Sequence, residues 1–118
     1  MSYDALEKKL LFQRGVAKDF PFGPDTAVYK VAGKMFALVA WRENPLRVTL
    51  KCDQPRTDFF RITYEAVKPG YYMNKDHWNT VTLDGSVPED VLSGMIDVSY
   101  ALVVKGLRKS DREELERQ

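Results

Sequence analysis

The 118-residue chain contains one cysteine and one histidine. A lone cysteine, Cys52, closes no internal disulfide, which fits a reducing compartment and predicts a cytoplasmic protein. Cys52 and His77 stand 25 positions apart. A zinc site uses about four such ligands, so neither a metal nor another cofactor is expected. No apolar run exceeds the seven residues Met35 to Trp41, whereas a membrane-spanning helix needs about 20. The opening Met1-Ser2-Tyr3-Asp4 offers no apolar signal core, so no membrane partner is expected. The seven glycines are scattered, and none follows a strand in dinucleotide or P-loop spacing. Nothing resembles a nucleophile elbow, and the chain is not expected to be an enzyme. Repeats and low-complexity tracts are missing too.

An excess of one charge is also lacking. The net charge is +1 and the isoelectric point about 7.8, whereas dedicated nucleic-acid binders usually lie above about 9. The charges are unevenly spread, however. Residues 26–83 carry nine basic and five acidic groups, a balance of +4. Residues 84–118 carry five basic and eight acidic groups, a balance of −3.

What is present suffices for a core. The chain is 44% hydrophobic and 12% aromatic, and a chain of this size buries about two-thirds of its unfolded surface. A single domain over residues 1–107 is predicted, followed by a polar helix or tail over 108–118.

Ser2 caps a predicted helix of about twelve residues with Leu6 and Leu10 on one stripe, stopped by Gly15. Lys18 to Asp25 reads as a loop, with Phe20 and Phe22 anchoring it to the core. Thr26–Val31 and Met35–Arg42 form a hairpin through Ala32-Gly33-Lys34. Asn44-Pro45 turns the chain into Leu46–Cys52, which alternates strictly. Val48, Leu50 and Cys52 point inward there, while Arg47, Thr49 and Lys51 point to water. Asp53 and Pro55 open a short helix carrying Phe59, Phe60, Ile62 and Tyr64, ended by Lys68-Pro69-Gly70. His77–Leu83 is a fourth strand. Ser86 and Glu89 form a capping box for a long helix whose stripe is Val91, Met95, Val98 and Leu102, widened by Leu92, Ile96 and Val103. Gly106 ends it, and Ser110 with Glu113 opens a last helix. The order α-β-β-β-α-β-α-α implies an α+β fold, a mainly antiparallel sheet of about four strands with helices on one face.

Several motifs together resemble the YjbR/MmcQ family of small bacterial proteins. They are Lys30-Val31-Ala32-Gly33-Lys34-Met35-Phe36-Ala37, Leu50-Lys51-Cys52-Asp53, and the stretch from Pro69-Gly70-Tyr71-Tyr72-Met73-Asn74 through His77-Trp78-Asn79-Thr80-Val81. Ser99-Tyr100 and Leu102-Val103 complete the likeness, which runs over about residues 3 to 107. The resemblance implies a compact α+β domain comparable with frataxin-like and double-wing folds, and it implies DNA binding. It supplies no catalytic residues. The acidic content of the first helix is only Asp4 and Glu7, so the iron binding of frataxin-like proteins does not carry over.

The residues themselves supply a matching candidate surface. Arg47, Thr49 and Lys51 share a strand face, Lys34 and Lys30 flank the hairpin turn, and Asn74 and Lys75 precede the fourth strand. Together they predict a cationic sheet face making about five phosphate contacts, hence weak, salt-sensitive DNA binding. The alternative is a protein-interaction or small-ligand module in which Tyr71, Tyr72, His77 and Trp78 line a recess. Trp78 is expected to be a buried anchor, with His77 packed beside it. The chain is expected to act as a monomer.

Overall fold

Ser2 starts the first helix as expected, its Oγ accepting the Ala5 N–H at 3.1 Å. In the computed structural model, which describes every residue except Tyr71, α1 (Tyr3–Phe12) buries Leu6 and Leu10. The strands are β1 (Val16–Asp19), β2 (Ala27–Val31), β3 (Lys34–Ala40), β4 (Arg47–Lys51), β5 (Val67–Pro69) and β6 (Trp78–Thr82). The remaining helices are α2 (Gln54–Thr63), α3 (Glu89–Lys105) and α4 (Lys109–Glu116). The sheet is antiparallel throughout, in the order β1-β2-β3-β4-β6-β5. No helix among the described residues is long and apolar enough to cross a membrane.

The α+β architecture stands, with six strands where about four were expected. The two additions are the edges. β1 joins Val16 and Ala17, which follow the expected helix stop, to the first two residues of the segment read as a loop, and β5 rises from residues read as the end of a helix. Strands of three or four residues show no usable alternation, and Pro69 is tolerated at an edge, where its missing N–H is not required. α2 stops early because the Tyr64 backbone turns extended after its N–H reaches the Phe60 carbonyl.

The core lies between one sheet face and the helices. Val48 and Leu50 point into it, at 0% and 1% exposure, beneath α3, which packs on β2, β3 and β4. The buried stripe of α3 is Leu92, Met95, Ile96, Ser99 and Val103. Val91, Val98 and Leu102 are only half-buried, so the helix is rotated from the expected stripe. Ser99 explains the rotation: its Oγ donates to the Phe36 carbonyl at 2.6 Å and accepts the Lys51 N–H at 2.9 Å. A polar side chain at the centre of the stripe is thereby satisfied.

Neither capping box forms. α3 begins after Pro88 and α4 after Arg108, each without a side-chain cap. Ser86 instead bonds the Asp84 carboxylate through both its Oγ and its N–H. These bonds hold the Asp84 carboxyl below its ordinary range. The hairpin turn is tight, with Ala32 at φ 49° and Gly33 at φ 79°. Both values belong to a two-residue turn whose twist matches the strands it joins.

Candidate functional site

The other sheet face carries no helix among the described residues. Strand parity decides what it presents. Tyr29, Ala37, Val39, Val48, Leu50 and Val81 go to the core. Leu38 and Ala40 of β3, Thr49 of β4, and Thr80 and Thr82 of β6 therefore face outward. Thr49 stands opposite both Leu38 and Thr80 in the ladder, and the Thr49 and Thr80 hydroxyls are 2.8 Å apart.

Two loops rise over this floor and convert it into a groove of about 550 Å³. The loop after β1 contributes Phe22, and the segment after β5 contributes Gly70, Tyr72 and Met73. The first loop is tied down by Trp41, whose indole Nε1 donates to the Pro24 carbonyl at 2.8 Å. Its phenylalanines do not anchor it to the core: Phe20 is 41% and Phe22 63% exposed. Pro21 and Gly23 flank Phe22 in a turn that holds the backbone away from the core. Phe22 is left as a wall of the groove.

The second wall starts at a glycine packed close against the strand. Gly70 donates to the Trp78 carbonyl at 2.9 Å. A Cβ on Gly70 would lie 3.1 Å from the Trp78 Cβ and 3.3 Å from the Thr49 Cγ2. A side chain here would fit only if Trp78 and Thr49 gave way by a few tenths of an ångström, so glycine lets the chain lie this close to the strand without strain. Trp78 is a buried anchor as expected, but on the outer face beneath Gly70 and apart from the core cluster.

Arg61 of α2 braces the strand entry from below. Its Nε donates to the Asn79 Oδ1 at 2.7 Å, and its Nη2 reaches the carbonyls of Lys75 and Trp78. Asn79, fully buried, also donates to the Thr57 Oγ1 at 3.5 Å.

The charges of the groove are few. Arg47 pairs with Glu43 at 2.8 Å, with bonds from both Nη2 and Nε. Lys68 lines the groove and enters no ion pair among the described residues. Lys68 and Thr82 also border a neighbouring cleft of about 580 Å³ that carries Glu65 and Asp84.

The expected cationic set is partly assembled. Arg47, Thr49 and Lys51 share the outer face, and Lys30 faces the same way on β2. Lys30, however, pairs with Asp19 at 3.3 Å, and Arg47 is held by Glu43. Lys34 opens β3 at the far end of the hairpin, exposed. Asn74 and Lys75 lie in the turn before β6, where the Asn74 Oδ1 accepts the Asp76 N–H. Of the expected recess, Tyr72 lines the groove at 99% exposure. The His77 side chain is exposed, while its backbone bonds Asn74 and Cys52. Neither His77 nor Trp78 lines the groove. The expectation for Tyr71 lies outside the described residues. Cys52 is buried, and burial pushes its thiol pKa up, which keeps it protonated and unreactive.

The alternation that exposes Arg47 also predicted Thr49. Phe22, Leu38, Lys68, Met73 and Arg61 were missed. Leu38 sits in the unbroken run Met35 to Trp41, which carries no parity signal. Phe22 carried the opposite expectation.

The family model YjbR matches residues 12–102. YbdF of Escherichia coli O157:H7 is 36% identical over 96 residues, spanning 81% of this chain and 79% of that protein. YjbR of Escherichia coli K12 is 36% identical over 86 residues, 73% of each chain. The crystal structure of DR2400 from Deinococcus radiodurans, a DUF419 domain, superposes with a TM-score of 0.92 at 38% identity. That match covers 98% of this chain and 88% of DR2400. A protein from Pseudomonas syringae shares the fold alone, with a TM-score of 0.74 at 24% identity over 86% of this chain and 98% of that one. A match across most of the domain, by model, by sequence and by structure, places this chain in the YjbR family.

Proposed function

We propose that this chain is a non-enzymatic binding module that takes a small ligand into the groove on its open sheet face. One observation carries the proposal: two loops wall an otherwise flat sheet with aromatic side chains left in water. A concave site of about 550 Å³ falls within the range of about 300–1,000 Å³ that holds small ligands. Its mix also fits, with apolar walls, a few hydroxyls and isolated charges at the rim. The residues that could do chemistry elsewhere support a non-catalytic role. The Cys52 thiol is buried, the single histidine is exposed, and no cluster of three His, Cys, Asp or Glu occurs among the described residues. Amide chemical-shift mapping with a library of small fragments tests this. Shifts should gather at Leu38, Thr49, Met73 and Thr80. Fragments that leave these amides unmoved overturn the proposal.

A second reading, backbone-directed binding to duplex DNA, is favoured by Arg47, Thr49 and Lys51 sharing one face. The carboxylates on Arg47 and Lys30 count against it, because each must be displaced before a phosphate gains the full charge. This reading expects a dissociation constant on the order of 10⁻⁴–10⁻⁶ M. Arg47→Ala with Lys51→Ala should then reduce the slope of log affinity against log salt by about 2. No binding near 20 mM salt (an order-of-magnitude low-salt condition), or indifference to both residues, removes it.

A further inference from the structure

The distribution of charge around the groove narrows the ligand, on the footing of the proposed binding role. The Arg47 guanidinium is already satisfied by both oxygens of the Glu43 carboxylate. That pair contributes shape and little net charge. Lys68 is different: it lines the groove from β5 and has no carboxylate partner among the described residues. The groove therefore offers one positive charge outside an ion pair, with Glu65 and Asp84 beyond its rim in the neighbouring cleft. The floor asks for little, since the Thr49 and Thr80 hydroxyls are bonded to each other. That bond uses one of the two hydroxyl protons, so the floor holds a single O–H for a ligand body resting on it. The walls ask for apolar surface: Phe22 and Tyr72, 63% and 99% exposed, gain by being covered.

We infer that the groove selects a small amphipathic monoanion, with a flat apolar body between Phe22 and Tyr72 and one carboxylate-like or sulfonate-like group on Lys68. A polyanion is disfavoured because Lys68 is the one lining cation outside an ion pair among the described residues. A neutral apolar molecule would leave Lys68 unused. A wet ammonium bonded to an anion gains more than a neutral hydrogen bond does, so the anionic group sets the affinity order.

Two fluorescent molecules that differ by one sulfonate test the inference: 1-anilinonaphthalene-8-sulfonate and neutral N-phenyl-1-naphthylamine. Each is titrated against the native chain and against Lys68→Ala, Lys68→Arg and Phe22→Ala, with urea midpoints confirming that every variant is folded. The sulfonate should bind with one saturable site, and Lys68→Ala should weaken it about tenfold, the usual size of a lost charge-assisted bond. Lys68→Arg should restore most of that loss. The neutral molecule should not respond to Lys68, whereas Phe22→Ala should weaken both. If both molecules bind equally and Lys68→Ala changes neither, the monoanion inference falls and the groove remains a binding site. If neither binds, or Phe22→Ala affects neither, the groove proposal falls and this inference with it.

Discussion

The Ser99 hydroxyl donates to the Phe36 carbonyl across 2.6 Å, joining the middle of α3 to β3. The same oxygen accepts the Lys51 N–H. It thus stands between two strands just past their last ladder pair, Ala37 with Leu50. Ser99→Ala strands a buried carbonyl and an N–H together. The expected cost is about 1–3 kcal/mol, read from urea midpoints. A loss indistinguishable from that of an exposed serine such as Ser110→Ala would show that water replaces the hydroxyl.

The register of β4 sets a contrast between neighbours. Leu50 is 1% exposed, so Leu50→Ala should cost about 2–5 kcal/mol. Lys51 faces outward, so Lys51→Ala should cost less than about 0.5 kcal/mol. Equal losses in urea melts would contradict the register.

The hairpin turn isolates backbone conformation from packing. Gly33 has open space where a Cβ would go but sits at φ 79°, so Gly33→Ala should cost about 1 kcal/mol through conformation alone. Ala32 already bears that strain at φ 49°. Ala32→Gly should recover about 0.5 kcal/mol, the relief being offset in part by glycine's greater unfolded freedom. Thermal melts giving both substitutions the same sign would refute the turn geometry.

Glu7 couples stability to acid. Burial pushes its carboxyl up, but hydrogen bonds from Tyr3 and Lys18 outweigh burial, leaving the value below the ordinary 4.5. A carboxylate with a lowered folded-state pKa stabilises fully above its unfolded value and loses that contribution as pH falls through the folded one. Glu7→Gln should therefore lower stability at neutral pH and flatten the decline below about pH 4.5. Lys18 behaves as the mirror case. Its hydrogen bond with Tyr3 and its contact with Glu7 raise it above 10.5, so its contribution persists to that pH and fades beyond. Parallel pH–stability curves for Glu7→Gln and the unaltered chain would remove Glu7 as a source of the acid limb.

Gly70 tests the second wall of the groove. Gly70→Ala puts a methyl 3.1 Å from the Trp78 Cβ and 3.3 Å from the Thr49 Cγ2. Both neighbours must give by a few tenths of an ångström. Ligand contacts at Met73 and Thr80 should weaken while the core, on the far side of the sheet, keeps its amide protection. Slowed or accelerated exchange at Val48 and Val81 would place the effect in the core instead.

The elements legible in the sequence were those with a period. β4 declared both its faces, α1 its leucine stripe, and Gly106 the end of α3. Short pieces were illegible: β1 and β5 are too brief to alternate, and their pairing depends on β2 and β6. The groove was harder still, because its walls are loops whose side-chain direction is set by turns. Phe22 looked like a core residue by chemistry and became a surface residue by geometry. Arg61 looked like one helix charge among many. Its role depends on Asn79, eighteen positions away, and on carbonyls that no sequence pattern marks.

Pro69 has a consequence for how these molecules meet one another. Ala66 and Gly70 bond to β6, so Lys68, of the same parity, turns its backbone the same way. That leaves Val67 and Pro69 along the outer margin of β5. The Val67 N–H is already spent on the Tyr64 carbonyl at 3.0 Å, and proline has none to give. A strand from another molecule arriving at Val67–Pro69 finds carbonyl acceptors and no free backbone N–H among the described residues. Pairing of another strand along β5 is disfavoured on this count, since half of each ladder would lack its donor.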